Sequence, residues 1–153
     1  MPRLAGPLPL AVVGDGRMVD RVAAEPAIQF LGWADRSDLV DRLDRSRSLW
    51  LPSLWAEPFG IIGLEAMARG VPVIGSKIGG IPEWLEHGVT GFLVEPGDSR
   101  EIAERADLLA CDTRLARSMG DAARQRVRDR YDRDRTVDRL LKLLGARTQS
   151  AGV

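Results

Sequence analysis

The sequence predicts an α/β protein, a three-layer αβα arrangement whose parallel sheet has about five strands, followed by packing helices. Two observations predict it. Short apolar runs that stop at Gly or Pro alternate with stretches whose apolar residues recur at helical spacing. With 44% hydrophobic and 29% charged residues over 153 positions, the chain can build one real core but not comfortably two.

Residues 10–13 read as the first buried strand, stopped by Gly14-Asp15-Gly16. A Gly-x-Gly at a strand end begins like the dinucleotide fingerprint, but Val19 stands where the third Gly belongs, so a nicotinamide cofactor is not indicated. A short helix over 18–24 ends at Pro26, residues 28–31 form the second strand, and Gly32-Trp33 follow it. Ser37 is placed to cap a helix carrying Leu39, Val40 and Leu43. Leu49, Trp50 and Leu51, closed by Pro52, make the central strand.

From Gly60 to Arg69 the apolar residues Ile61, Leu64 and Ala68 return at helical spacing, and Gly70 stands where a helix C-terminus favours positive φ. Residues 71–74 start the fourth strand. Gly79-Gly80 and Pro82 lead into a short helix that ends before His87-Gly88, and residues 92–94 are the fifth strand. Helices over 100–110, around Leu115 to Val127, and around Val137 to Leu144 complete the chain, and the small polar tail 146–153 is expected to fray.

The chemistry concentrates at the loop and helix after the central strand. A helix start offers unpaired N–H groups, and the glycines Gly60 and Gly63 put almost no side chain over them, which suits a phosphate. Glu57 precedes that helix, and Glu65 lies about 7.5 Å of axial rise past Gly60, with its side chain leaning back toward the N-terminus. Two carboxylates flanking one ligand suit sugar hydroxyls, since each accepts several hydrogen bonds.

This Glu-x7-Glu spacing with Pro-Phe-Gly after the first Glu resembles the donor-binding half of the retaining GT-B glycosyltransferases, the glycosyltransferase family 4-like or "glycosyl transferases group 1" enzymes. The resemblance continues through Leu-Glu-Ala-Met-Ala-Arg-Gly-Val-Pro-Val-Ile at 64–74, Gly-Gly-Ile-Pro-Glu at 79–83 and Gly-Val-Thr-Gly-Phe-Leu-Val-Glu-Pro-Gly-Asp at 88–98. It implies a Rossmann-like fold of the GT-B C-terminal type, with residues 1–145 as a partial nucleotide-sugar domain and 146–153 as a flexible tail. It further implies that Glu57 contacts the transferred sugar as the catalytic carboxylate, and that Glu65 holds the ribose hydroxyls. The backbone at Phe59, Gly60, Ile61 and Ile62 would serve the sugar hydroxyls and diphosphate. Gly14 and Gly16 would line the donor cleft, Trp33 or Ala34 would touch the base, and Gly79 and Gly80 would border the sugar.

The substrate implied is a UDP- or GDP-linked sugar, with no metal: around Glu57 and Glu65 no Asp-x-Asp pair stands ready to hold a divalent ion beside a diphosphate. The family's acceptor domain and the first strand and helix of its donor domain, whose loop carries an Arg and a Lys for the diphosphate, find no match in the sequence. A partner supplying the acceptor half, or self-association, is therefore expected, and a binding or assembly protein without turnover is the alternative function. In the doubly wound order 3-2-1-4-5-6 the unmatched strand is central, so strands 10–13 and 49–51 would stand about 9.5 Å apart unless the sheet closes to 3-2-4-5-6, the expected outcome.

Other classes fit less well. Lys plus Arg equals Asp plus Glu at 22 each, so no bulk charge points to nucleic acid. Cys111 is the only cysteine, which excludes an intrachain disulfide and suits a cytoplasmic location, and the only histidine, His87, sits in a Glu-His-Gly turn with no ligand cluster around it. Pro7 and Pro9 interrupt the apolar stretch 4–13, which reads as leader plus strand, and no run reaches the ~18 apolar residues of a membrane span.

Overall fold

The computed structural model describes residues 9–144. Strands and helices alternate as β1 (Leu10–Val12), α1 (Val19–Ala23), β2 (Ile28–Phe30), α2 (Arg36–Arg45), β3 (Leu49–Leu51), α3 (Ile61–Ala68), β4 (Val73–Ser76), α4 (Ile81–Trp84) and β5 (Gly91–Val94). Helices α5 (Ser99–Cys111), α6 (Thr113–Arg130) and α7 (Arg133–Leu143) follow. The tail expected to fray lies outside the described residues.

All strand pairs are parallel, and β3, β4 and β5 form a sheet in that order. Successive residues of a strand face opposite ways, so Val73 and Ile74 enter separate cores. Val73 joins Ala66, Met67, Ile81, Trp84, Leu85 and Ala123 on one face. Ile74 joins Phe92, Val94, Ile102, Leu109 and Met119 on the other. Helices thus cover both faces of this sheet, the three-layer arrangement expected.

Several boundaries differ from the sequence expectation by a residue or two, and two of them have clear local reasons. The fourth strand begins at Val73, not residue 71, because the chain first closes α3: the Gly70 N–H donates to Met67 O and the Val71 N–H to Ala66 O, each at 2.9 Å, with Gly70 at φ 78°. The cap of α2 is Asp35 rather than Ser37. Its Oδ1 accepts from the Asp38 N–H at 2.9 Å and from the Ser37 hydroxyl at 2.7 Å.

The Asp38 N–H, and after it the Ser37 hydroxyl, hold the Asp35 carboxyl below its ordinary value of 3.8. A depressed folded-state pKa stabilises above the unfolded value and is lost as pH falls through the folded one, so the first turn of α2 should loosen only on strong acidification. An Asp38 amide proton resonance that shows no acid titration in the wild type, or the same titration in Asp35→Ala, counts against this.

The sheet does not close. β1 pairs only with β2, in the register Leu10↔Ile28 to Val12↔Phe30, and this two-stranded sheet stays separate from β3–β4–β5. The expected 3-2-4-5-6 order, with the first strand paired to Leu49–Leu51, is therefore corrected. The reason lies in α2, which is fastened to α3. Leu43 is buried in the core, Asp44 Oδ1 receives Arg69 Nη1 at 2.7 Å, and Arg36 Nη2 sits 2.9 Å from Glu65 Oε1. Moving β1 and β2 sideways by a strand spacing of about 4.8 Å would have to carry α2 off these contacts. What remains beside the small sheet is an open cavity of ≈ 740 Å³ lined by Leu10, Ala11, Ile28 and, from α2, Asp38, Asp41 and Arg42. Accordingly β3 is only half-buried although Leu49, Trp50 and Leu51 are all apolar, while every residue of β4 is buried.

Candidate functional site

The carboxyl ends of the parallel strands carry the loops at which ligands bind in open α/β sheets. Among them, the segment between β3 and α3 holds Glu57, Pro58, Phe59 and Gly60. Its shape is set by its neighbours. Gly60 adopts φ 75° and ψ 54°, a left-handed conformation open to glycine, and supplies no side-chain cap to α3. The first turn of α3 also carries no acidic residue. Its leading N–H groups are therefore left to whatever anion sits in front of them.

Gly79 and Gly80 hold this segment from behind. The Gly80 N–H donates to Glu57 O at 2.8 Å. A Cβ on Gly79 would run into the Glu57 carbonyl, and one on Gly80 into the Pro58 carbonyl, so close backbone packing requires glycine at both. Gly79 further adopts φ 57°. The Glu57 carboxylate has no hydrogen-bond or ion-pair partner among the described residues, and its side chain rests near Gly60.

Trp84 is the residue that sequence reasoning missed. It is fully buried, its Nε1–H donates to Phe59 O, and its own carbonyl accepts from Arg126 Nε at 2.8 Å. The indole ring fills the space that a Cβ on Gly63 would need. Gly63 is thus small for packing, which corrects the expectation that it leaves room for a phosphate. An aromatic residue in Ile-Pro-Glu-Trp-Leu was the available signal, but nothing local tells a buried Trp from an exposed one. Phe59 also anchors the segment, stacking edge-to-face on Tyr131 with ring centroids 6.1 Å apart.

On α3, Ile61 is exposed and Ile62 half-buried against the core, so only the backbone of the first turn is shared with the candidate site. Glu65 is a turn further along and about three-quarters buried, with 26% of its side chain exposed. It lines a second cavity of ≈ 420 Å³ together with Arg36, Val40, Asp44, Ala68, Arg69 and Arg124. Glu57 lines neither of these cavities and is half-buried.

The loops after β1 and β2 also lie at the carboxyl ends of their strands. The Gly14 N–H donates to Gly32 O at 2.8 Å, and around Gly14 and Gly16 nothing would obstruct a Cβ, so both stand in open space. Trp33 is 85% exposed, which rules out the plain packing that usually explains a tryptophan. The Arg36–Glu65 pair ties this half to α3. Lys77, directly after β4, is largely exposed, its Nζ 3.9 Å from Glu95 Oε1. Among the described residues no three His, Cys, Asp or Glu side chains group as metal ligands, and no helix is long and apolar enough to cross a membrane.

Residues 3–126 match the family described as Glycosyl transferases group 1. The chain is 39% identical over 135 residues to N-acetyl-alpha-D-glucosaminyl L-malate synthase of Bacillus anthracis, a match covering 84% of this chain and 35% of that protein. It is 33% identical over 142 residues to glycogen synthase of Mycobacterium tuberculosis, covering 86% and 34%. Among solved structures, Anabaena Alr3699/HepE in complex with UDP and glucose superposes with a TM-score of 0.78 at 28% identity, over 88% of this chain and 40% of that one. The chain thus spans 34–40% of the length of these relatives.

Proposed function

The chain belongs to the group 1 glycosyl transferases, and from that premise we propose that it forms the donor-binding portion of a retaining enzyme that moves a hexosyl group from a nucleotide-diphosphate sugar to an acceptor. The observation that carries this reading is the uncapped, glycine-initiated start of α3, with Glu57 just before it and Glu65 one turn into it. Backbone N–H groups of Gly60, Ile61 and Ile62 serve the diphosphate and sugar, Glu57 meets the transferred sugar, and Glu65 accepts from the ribose hydroxyls. Trp33 offers its exposed face to the base, with Gly14 and Gly16 beside it.

The donor is UDP- or GDP-linked, and the UDP-bound neighbour supports the uridine choice. Binding proceeds without a metal. A reducing, cytoplasmic setting suits the single thiol, Cys111. A second reading, donor binding without turnover, is favoured by the separated sheets. Under the first reading, a polypeptide carrying the acceptor half joins this one.

Replacing Glu65 by Ala should weaken UDP or GDP binding by about 1–3 kcal/mol, the loss of a charged hydrogen-bond acceptor. Titration calorimetry checks it. Equal affinities for wild type and Glu65→Ala, or binding that appears only with Mg2+, overturn the assignment.

A further inference from the structure

The Arg36–Glu65 pair points to a role for Arg36 at this site. Arg36 is the first residue of α2, three positions after the exposed Trp33, and its side chain is itself largely exposed. Its Nη2 lies 2.9 Å from Glu65 Oε1, and Glu65 has no other partner among the described residues. Arg36, Val40 and Asp44 recur at i, i+4 and i+8 on α2 and face Glu65, Ala68 and Arg69 across one cavity. The two ion pairs have opposite polarity, Arg36 to Glu65 and Asp44 to Arg69, so they fix which turn of α2 meets which turn of α3.

Resting on the reading that Glu65 holds the ribose, we infer that Arg36 is a positioning residue that determines how strongly this site distinguishes a ribose from a deoxygenated sugar. A carboxylate offers about four lone-pair sites on its two oxygens, so the guanidinium at Oε1 leaves Oε2 for a vicinal pair of hydroxyls. Glutamate is rotamer-rich, and holding it beforehand removes part of the ordering cost that nucleotide binding would otherwise carry. The Asp44–Arg69 pair and buried Leu43 keep α2 docked when Arg36 is changed.

The test compares UDP with its 2′,3′-dideoxy analogue by calorimetry on the full chain. Arg36→Met should shrink the preference for UDP about three- to fivefold, the range of a well-placed exposed ion pair. Affinity for the dideoxy analogue should stay unchanged, Arg36→Lys should recover part of the preference, and Asp44→Asn should leave it intact. A purely structural role would lower both affinities together and overturn the inference. So would an unchanged or larger preference in Arg36→Met, which would make Arg36 a competitor for Glu65. Glu65→Ala separates the two claims: if it keeps the wild-type preference, or if the wild type binds neither nucleotide, the ribose reading itself fails. If Glu65→Ala abolishes the preference while Arg36→Met does not, only the role of Arg36 falls.

Discussion

Replacing Trp84 by alanine is expected to destabilise the protein by about 3–5 kcal/mol, the range for deleting a large buried aromatic side chain. Net stabilities of single domains are about 5–15 kcal/mol, so this is a large fraction of the whole. Trp84 has no exposed surface, and three separate features converge on it. The ring fills the space above Gly63, it lies beneath Gly60, and its N–H satisfies the Phe59 carbonyl. Removing it opens a cavity under the start of α3 and frees the segment that carries Glu57. Urea denaturation measures the cost. Trp84→Phe should lie between wild type and Trp84→Ala, because it keeps most of the packing but leaves Phe59 O without its donor. Gly63→Ala should be costly alone and much less so combined with Trp84→Ala, since the methyl group then enters the space the ring vacated. A midpoint for Trp84→Ala equal to that of wild type, or strict additivity of the pair, would show that the indole does not support the site.

The purified 153-residue chain is expected to transfer no sugar by itself. Holding two reactants in a near-attack geometry accounts for roughly 7–11 kcal/mol of barrier lowering. The chain spans 35% of the N-acetyl-alpha-D-glucosaminyl L-malate synthase and 40% of the UDP-bound neighbour. An assay with a UDP-sugar and a panel of acceptors should therefore yield slow donor hydrolysis at most. Transfer at an enzymatic rate by this chain alone would refute the expectation. Transfer that appears when a polypeptide carrying the remaining part of a relative is added would identify the partner that the reading calls for.

Much of the fold is legible in the sequence because strand and helix periods are local properties. The apolar triplet Leu49-Trp50-Leu51, the Gly70 stop and the apolar stripes of α5 and α6 all lie within a few residues of the elements they define. The stretch from Glu57 to Glu65 is legible for the same reason, since a carboxylate before a glycine-started helix is a short-range pattern. Boundaries shifted where two local signals competed. At 71–72 a helix-closing motif used residues that β-propensity alone assigns to a strand, and at Asp35 a carboxylate cap preceded an equally plausible Ser37.

By itself, then, the sequence determined the order and type of the elements, the parallel α/β class and the position of the candidate site. Tertiary structure alone decided that Gly63 is a packing glycine, that Gly79 and Gly80 support the Glu57 backbone, and that Trp84 lies under the helix start. It alone decided that Glu65 is held by Arg36, and that the strands separate into sheets of two and three. These outcomes share one physical cause. Each depends on which surfaces meet across 20 or more positions of chain, as in the 25-residue separation of Trp84 from Phe59. Periodicity states which face of an element is apolar, but the partner of that face is settled by the competition of all such faces for burial, and for β1 and β3 that competition left both edges open because α2 is committed to α3.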